Sequence, residues 1–414
     1  MSVGHKDVAI IGAGPAGLAA AQELRRLGVA SVLVLEREQA AGGVPRHCSH
    51  QGFGLRDLHR VLAGPAYAAH RARSAERAGA ELRLGTQVTG WTADGRLELT
   101  GPGGRAELSA GSVLLATGCR ERPRSARLIP GSRPQGVMNT GTLQQLVHLG
   151  HERVGERAVV VGAEHVSYSA VQTLHEAGAQ TVAMTTELAH HQSFAAFNLG
   201  VRARHGTRLL TRTKVSAILG DGRLRAVELE HLDTGESSRV DCDLLVLTAD
   251  WVPDHELAVL GGAALDPGTR GPAIDAAHHT TRPGLFAAGN VLHGAEPADI
   301  AALSGRRAAA SILAHLTGEP WPAAGVPLRC AEPLRWVVPN IARVHGCTRH
   351  LVRSSRELRD VRIAVMQDGR TLATSRLARV SPGRSASLDG GWAARVDPLG
   401  GPVVLSVVSA TPRR

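Results

Sequence analysis

No apolar run in the sequence approaches the roughly eighteen residues that a membrane-spanning helix requires, so the chain is not read as an integral helical membrane protein. Five cysteines are present, Cys48, Cys119, Cys242, Cys330 and Cys347, widely spaced and without a CxxC or a zinc-like pair. That spacing argues against a disulfide framework, a structural zinc site and an evident iron–sulfur site. The pairs His190-His191 and His278-His279 have no carboxylate at metal-ligand spacing and read as ordinary polar residues, so no metal is expected. Lysine is nearly missing: only Lys6 and Lys214 occur. Arginine therefore carries almost all of the positive side of a formal net charge of +10, and it is scattered instead of clustered. A scattered excess does not make the basic patch that nucleic-acid binding needs, and a GC-rich codon bias explains it equally well.

What the chain does contain is the composition of a soluble globular protein, 43% apolar and 20% charged over 414 residues. That length exceeds one compact core and predicts two or three domains. The first apolar run is short, follows Lys6-Asp7 and continues directly into glycines, so it reads as a core strand and not as a secretory segment. A cytoplasmic protein is expected.

The most informative stretch is Asp7 to Glu36. Val8-Ala9-Ile10-Ile11 leads into Gly12-Ala13-Gly14-Pro15-Ala16-Gly17, a helical stretch runs to Gly28, and a second apolar run, Val32-Leu33-Val34-Leu35, ends on Glu36. This is the pattern of strand, tight turn, helix and parallel strand. Gly12 makes the turn, Gly14 lets the backbone approach a pyrophosphate, and Gly17 lets the helix pack close to the strand. The helix N-terminus offers N–H groups and a positive dipole end to phosphates, and Glu36 stands where a carboxylate can accept hydrogen bonds from an adenosine ribose.

A polar loop follows, Ala40-Ala41-Gly42-Gly43-Val44-Pro45-Arg46-His47-Cys48-Ser49-His50 to Gly54, whose glycines and rings suit close approach and not core packing. Pro65 to Gly79 reads as a helix. Short strands around Glu81 to Leu84, Val88 to Thr92 and Leu97 to Leu99, with turns at Asp94-Gly95 and Gly101 to Gly104, read as a β-meander. The next strand, Ser112 to Ala116, ends in Thr117-Gly118-Cys119-Arg120-Glu121-Arg122.

That Ala-Thr-Gly closure, roughly eighty residues after Glu36, resembles the FAD-dependent pyridine nucleotide-disulfide oxidoreductase superfamily, and Thr281-Arg282-Pro283-Gly284-Leu285-Phe286-Ala287-Ala288-Gly289-Asn290 resembles its second FAD motif. In that motif the last residue hydrogen-bonds the flavin ribityl chain; it is usually Asp, and Asn290 can make the same bond. The loop from Gly42 to Gly54, Gly64-Pro65-Ala66-Tyr67-Ala68, Cys119 to Arg122 and Gly289-Asn290-Val291-Leu292-His293 are similar to one branch, the flavoprotein subunits of hydrogen cyanide synthase, opine dehydrogenase and hydroxyproline dehydrogenase. The resemblance spans roughly residues 7 to 315. It implies an α/β fold with two Rossmann-like domains, glutathione reductase-like, the second inserted in the first; the alternating runs that follow it read as a small β-rich C-terminal module. The expected divisions are 1–124 and 253–325 for FAD, 125–252 for the insert and 326–414 for the module. It also implies FAD contacts from Gly12, Gly14, Pro15, Ala16, Gly17, Glu36, Arg37, Gly43, Val88, Thr117, Gly118, Gly289 and Asn290.

Between the two FAD motifs, Ala158 to Gly162, Val166 to Ala177 and Gln180 to Met184 repeat the strand, helix and strand pattern where the superfamily keeps its nicotinamide domain. The turn runs Gly162-Ala163-Glu164-His165-Val166-Ser167, so the second and third glycines are replaced. A carboxylate aimed at a pyrophosphate is repulsive, on the order of 1 to 4 kcal/mol in a partly screened site. The fold is expected to be kept, with NAD(P) binding in doubt.

A dithiol relay needs two cysteines facing the flavin, and Cys48 stands alone. Many members of the branch carry a C-terminal iron–sulfur module with closely spaced cysteines, whereas Cys330 and Cys347 are isolated, so electrons must leave through another protein of a complex or a diffusible acceptor. The branch implies oxidation of a C–H bond beside an amine or hydroxyl of a small-molecule substrate, with hydride passing to flavin. His47 and His50 are the candidate bases and Arg46 the candidate carboxylate anchor; the alternative is that they fix the loop or bind the flavin pyrophosphate. Two further readings are an NAD(P)H-dependent flavin reductase serving a partner protein, and a catalytically quiet FAD-bound scaffold. Val361 to Val365, Asp368-Gly369 and Val403 to Leu405 read as β-hairpins of the C-terminal module.

Overall fold

The computed structural model describes residues 2–294, 296–343 and 349–408. Cys347 lies outside the described residues. The chain forms two compact units, the first from residues 1–46, 52–120 and 252–414 and the second from residues 47–51 and 121–251.

The first unit is built on a seven-stranded sheet. Strand Ser2–Ile11 lies at its centre, parallel to Val32–Leu35 on one side (Ala9 opposite Leu33) and to the end of Gly104–Leu115 on the other (Ala9 opposite Val113). Both faces are covered, which is why these strands are continuous apolar runs. Val8, Ile10 and Val34 point into a core with Leu18 and Leu24 of helix Pro15–Arg26 and Ile312 of helix Ala298–Leu316. Ala9, Ile11 and Leu33 point into a second core that holds Leu115, Leu285 and Trp336. Strand Leu285–Ala287 adds in parallel to Gly104–Leu115, so the chain segments of the two FAD motifs end on one sheet.

The predicted meander is corrected in one part. Gln87–Trp91, Leu97–Gly101 and Gly104–Leu115 do pair antiparallel in sequence. Glu81–Arg83 instead pairs in parallel with Val32–Leu35, because it follows the crossover helix Gly64–Arg77, and a strand delivered by a crossover helix arrives parallel.

The C-terminal part of this unit has its own hydrophobic cluster, including Leu328, Ile363, Val365, Trp392, Val403 and Leu405. Its strands form a five-stranded sheet, in which the hairpin Leu358–Gln367 with Arg370–Val380 turns at Asp368-Gly369, and a three-stranded sheet of Leu334–Val338, Arg349–Ser354 and Ala386–Asp389. The module begins with strand Val326–Cys330.

The second unit carries a five-stranded parallel sheet in the order Val137–Asn139, Leu244–Leu247, Arg157–Val161, Gln180–Thr185 and Arg208–Leu210. Helix His165–Glu176 covers it with Tyr168, Val171 and Leu174, all buried. A three-stranded antiparallel sheet, Thr213–Asp221, Arg223–His231 and Ser237–Asp241, completes the unit.

Candidate active site

The first turn is shaped to admit a dinucleotide. Gly12 has φ +106°, and a Cβ there would lie 2.5 Å from the Ala116 carbonyl oxygen; at Gly17 it would lie 2.0 Å from the Gly12 oxygen. Neither site can hold a side chain. Above Gly14, in contrast, there is open space, with nothing within 4 Å of a Cβ position. Gly14 caps helix Pro15–Arg26 without any side-chain hydrogen bond, so the first-turn N–H groups have no capping partner. Pro15 at the first helical position gives up no useful donor. A polar cradle that is open above the backbone and uncapped fits a pyrophosphate.

Glu36 is anchored beside this turn. Its carboxylate accepts the Ala13 N–H at 2.8 Å and the Glu38 N–H at 2.9 Å, and the residue is 9% exposed. Each oxygen keeps a further lone pair for a ribose hydroxyl. Arg37 reaches towards Asp254 at 3.9 Å. Gly42 donates its N–H to the Ala13 carbonyl at 2.7 Å, and Gly43 has so little room that a Cβ would be 2.9 Å from Gly14 Cα. Gly289 is equally confined, its Cβ position 2.6 Å from that of Ala16. The loop after Glu36 and the second FAD motif thus both converge on the helix N-terminus. Val88 is buried in strand Gln87–Trp91, opposite Leu99. Thr117 donates its hydroxyl to the Asp254 carbonyl at 2.7 Å, and Gly118, at φ +77°, accepts the Asp254 N–H at 3.0 Å. Arg120 is held by Asp254 and Glu256.

The candidate catalytic residues are held by different partners. Arg46 belongs to the first unit, where its guanidinium is taken by the Glu38 carboxylate and the Ala40 carbonyl. His47 and His50 belong to the second. His47 is 5% exposed, with Nδ1 3.3 Å from Gln144 Oε1, and His50 places Nδ1 2.9 Å from the Gln51 carbonyl. The Cys48 thiol donates to the same Gln144 oxygen at 3.3 Å, and Gln144 passes its Nε2 hydrogen to Ser169 Oγ at 2.8 Å. Burial, with the Glu121 charge adding to it, pushes the Cys48 thiol up to about 12, so it is not a thiolate at neutral pH. Burial also pushes Cys242 and Cys330 up to about 12.

Sequence reasoning missed Gln144, an amide inside helix Thr140–His148 with no motif to flag it. Glu121 was visible only as part of the stretch after Gly118. Its Oε2 accepts the Gly141 N–H at 2.8 Å, and burial pushes its carboxyl above the usual range.

The second turn has the same path and a different filling. Gly162 is confined, its Cβ position 2.0 Å from Thr248 Oγ1. Glu164 caps helix His165–Glu176 and does not face outward as expected: its Oε2 accepts from the Ala163 N–H and the Ser167 hydroxyl at 3.0 Å, and Ser167 Oγ accepts the Glu164 N–H at 3.1 Å. Ser167 Oγ also lies 2.6 Å from Thr248 Oγ1. This is a reciprocal capping box between the N-cap and the third helical residue. Burial holds the Glu164 carboxyl above its usual range despite these bonds.

A cavity of about 350 Å³ lies along later turns of the first helix, lined by Gln22, Asp57, Arg71 and Arg306 among others, and is separate from the glycine turn. Among the described residues no group of three His, Cys, Asp or Glu side chains is arranged for a metal ion, and no helix is long and apolar enough to cross a membrane.

The sequence profile of the pyridine nucleotide-disulphide oxidoreductase family matches residues 6–305. The alpha chain of sarcosine oxidase from Corynebacterium sp. (strain P-1) is 29% identical over 272 residues, 60% of this chain and 26% of that protein. One of the opine oxidase subunits of Rhizobium meliloti is 26% identical over 341 residues, 75% of this chain and 63% of that protein. The chain therefore spans less than two thirds of either relative. The crystal structure of T. acidophilum thioredoxin reductase superimposes with a TM-score of 0.63 at 23% identity, covering 74% of this chain and 97% of that one.

Proposed function

The chain belongs to the pyridine nucleotide-disulphide oxidoreductase family and is an FAD-dependent oxidoreductase, and from that premise we propose that it oxidises a small amino-acid-like or hydroxy substrate without a redox dithiol. Bound FAD would accept hydride from a carbon beside an amine or hydroxyl. The chain's residues bind and orient: the Gly12–Gly17 turn and helix N-terminus hold the pyrophosphate, Glu36 the ribose, and Asn290 the ribityl chain.

The observation that carries this reading is the contrast between an uncapped first turn, open above Gly14, and a second turn closed by the Glu164–Ser167 capping box. The first fits a dinucleotide. The second disfavours NAD(P), which leaves the substrate itself as the electron donor. The buried, protonated Cys48 supports the same conclusion by removing a thiolate from the loop. His47 is proposed as the base, with Gln144 fixing its ring orientation, and His50 as its alternate. Arg46 becomes a substrate anchor when it exchanges Glu38 for a substrate carboxylate. The relatives named as subunits of sarcosine and opine oxidases support an assembly with a partner protein that takes the electrons onward.

The test is anaerobic mixing of the FAD-loaded protein with NADH, NADPH and then N-methyl amino acids, opines and hydroxy acids, while the flavin absorbance is followed. Bleaching by a member of the last three classes is expected. Rapid bleaching by NADH or NADPH would overturn the reading in favour of a flavin reductase.

A further inference from the structure

The C-terminal module reaches the second FAD motif through one buried cluster. Asn290 and Glu296 are joined twice: Asn290 Nδ2 donates to the Glu296 carbonyl at 3.1 Å, and the Glu296 N–H donates to Asn290 Oδ1 at 3.0 Å. The Glu296 carboxylate is then gripped from the module. Arg353 Nη2 donates to its Oε1 at 3.0 Å, the Ser385 hydroxyl donates to the same oxygen, and Arg353 also donates to Ser385 Oγ at 2.9 Å. Side-chain exposure is 9% for Arg353 and 12% for Glu296. The guanidinium lies 4.9 Å over the Trp336 ring, and His293 stacks on that indole at 4.8 Å. Trp336 itself sits in the core beneath the FAD sheet.

We propose that the C-terminal module positions Asn290 for the flavin ribityl chain, with Arg353 and Ser385 fixing Glu296 and Glu296 fixing the carboxamide. The proposal rests on the reading that Asn290 faces the ribityl chain. A carboxamide has two N–H donors and two acceptor lone pairs. One of each is spent on Glu296, which leaves one donor and one acceptor in a fixed orientation. This also accounts for Asn where Asp is usual in the resembling motif. A carboxylate has no hydrogen to give the Glu296 carbonyl, so Asp at this position would face that oxygen as an unpaired repulsive neighbour. Arg353 and Ser385 are positioning residues, because they act on the flavin site through Glu296.

The experiment compares FAD dissociation constants, the visible flavin spectrum and the reduction midpoint for wild type and variants, with thermal unfolding of the apoprotein as the check on folding. Asn290→Leu tests the underlying reading: unchanged FAD affinity would remove Asn290 from the site. Given a loss there, Asn290→Asp and Glu296→Gln are each expected to weaken FAD on the order of tenfold and to shift the flavin spectrum, with the apoprotein still folded. Arg353→Met is expected to do the same and Arg353→Lys to restore part of the loss. Arg376→Ala, which removes an exposed pair with Asp360 in the same module, leaves FAD affinity and spectrum unchanged. Should Arg353→Met not fold, Ser385→Ala decides, since it deletes one hydrogen bond without stranding a charge; a loss of about twofold or more with a spectral shift is expected. Wild-type affinity and spectrum in Glu296→Gln and in Ser385→Ala, alongside a weakened Asn290→Leu, overturn the proposal.

Discussion

The turns Gly12–Gly17 and Gly162–Ser167 each join an apolar strand to a twelve-residue helix, Pro15–Arg26 and His165–Glu176, on a parallel sheet. They differ in who satisfies the helix N-terminus. In the first, no side chain does, and Glu36 binds the Ala13 and Glu38 N–H groups behind it. In the second, Glu164 and Ser167 satisfy each other's donors, and Thr248 packs against the serine. A Rossmann backbone is therefore retained by its strand and helix packing, while two side chains occupy the turn where the first unit stays open. Folding and binding are separable at this motif.

The comparison is broken most severely at Gly17. Gly17→Val puts a branched side chain where even a Cβ would be 2.0 Å from the Gly12 oxygen. It is expected to cost about 3 kcal/mol or more by overpacking and to abolish FAD binding, as read by thermal unfolding and flavin retention on gel filtration. Glu36→Ala comes next. Losing a buried carboxylate that accepts two N–H groups is expected to weaken FAD by about 2 to 3 kcal/mol, seen as fluorescence recovery of released flavin on dilution. Glu164→Ala removes one half of the capping box and should destabilise the second unit by about 1 kcal/mol without changing FAD affinity. An equal loss of FAD would mean that the two turns are not independent.

The finest distinction is in pH dependence. Burial raises the Glu164 carboxyl above its ordinary value of 4.5 in the folded state. The folded protein thus binds that proton more tightly than the unfolded chain. The resulting stability is complete below the ordinary value and is lost as pH rises through the raised one. Glu164→Gln, which cannot ionise, should flatten the fall in stability above pH 4.5, measured by urea unfolding across that range. A slope identical to wild type would place the titrating group elsewhere, with the buried Glu121 the first to examine.

Much of the FAD-binding half was legible because its signals are local. The run Val8–Ile11, the three glycines and Glu36 lie within thirty residues, and each has a steric or hydrogen-bonding task that its own type dictates. The substitution of Glu164 and Ser167 was equally visible, but its consequence was not: sequence alone suggested a carboxylate aimed outward, whereas the capping bonds turn it back on its own helix. The loop from Arg46 to His50 stood out by composition as a candidate. Its division between two units was not, because Glu38 and Gln144 compete for neighbouring residues from different parts of the chain.

By itself the sequence determined two strand–turn–helix–strand units, their order, the family, the cofactor turn and the isolation of Cys48, since periodicity, glycine placement and residue identity are short-range properties. Only the tertiary structure decided that Glu81–Arg83 joins Val32–Leu35, that Gln144 holds His47 and Cys48, and that Arg353 and Ser385 grip Glu296. Those partners are separated by 48 to 97 positions. Burial and charge pairing select such contacts, and no local pattern of residues encodes them.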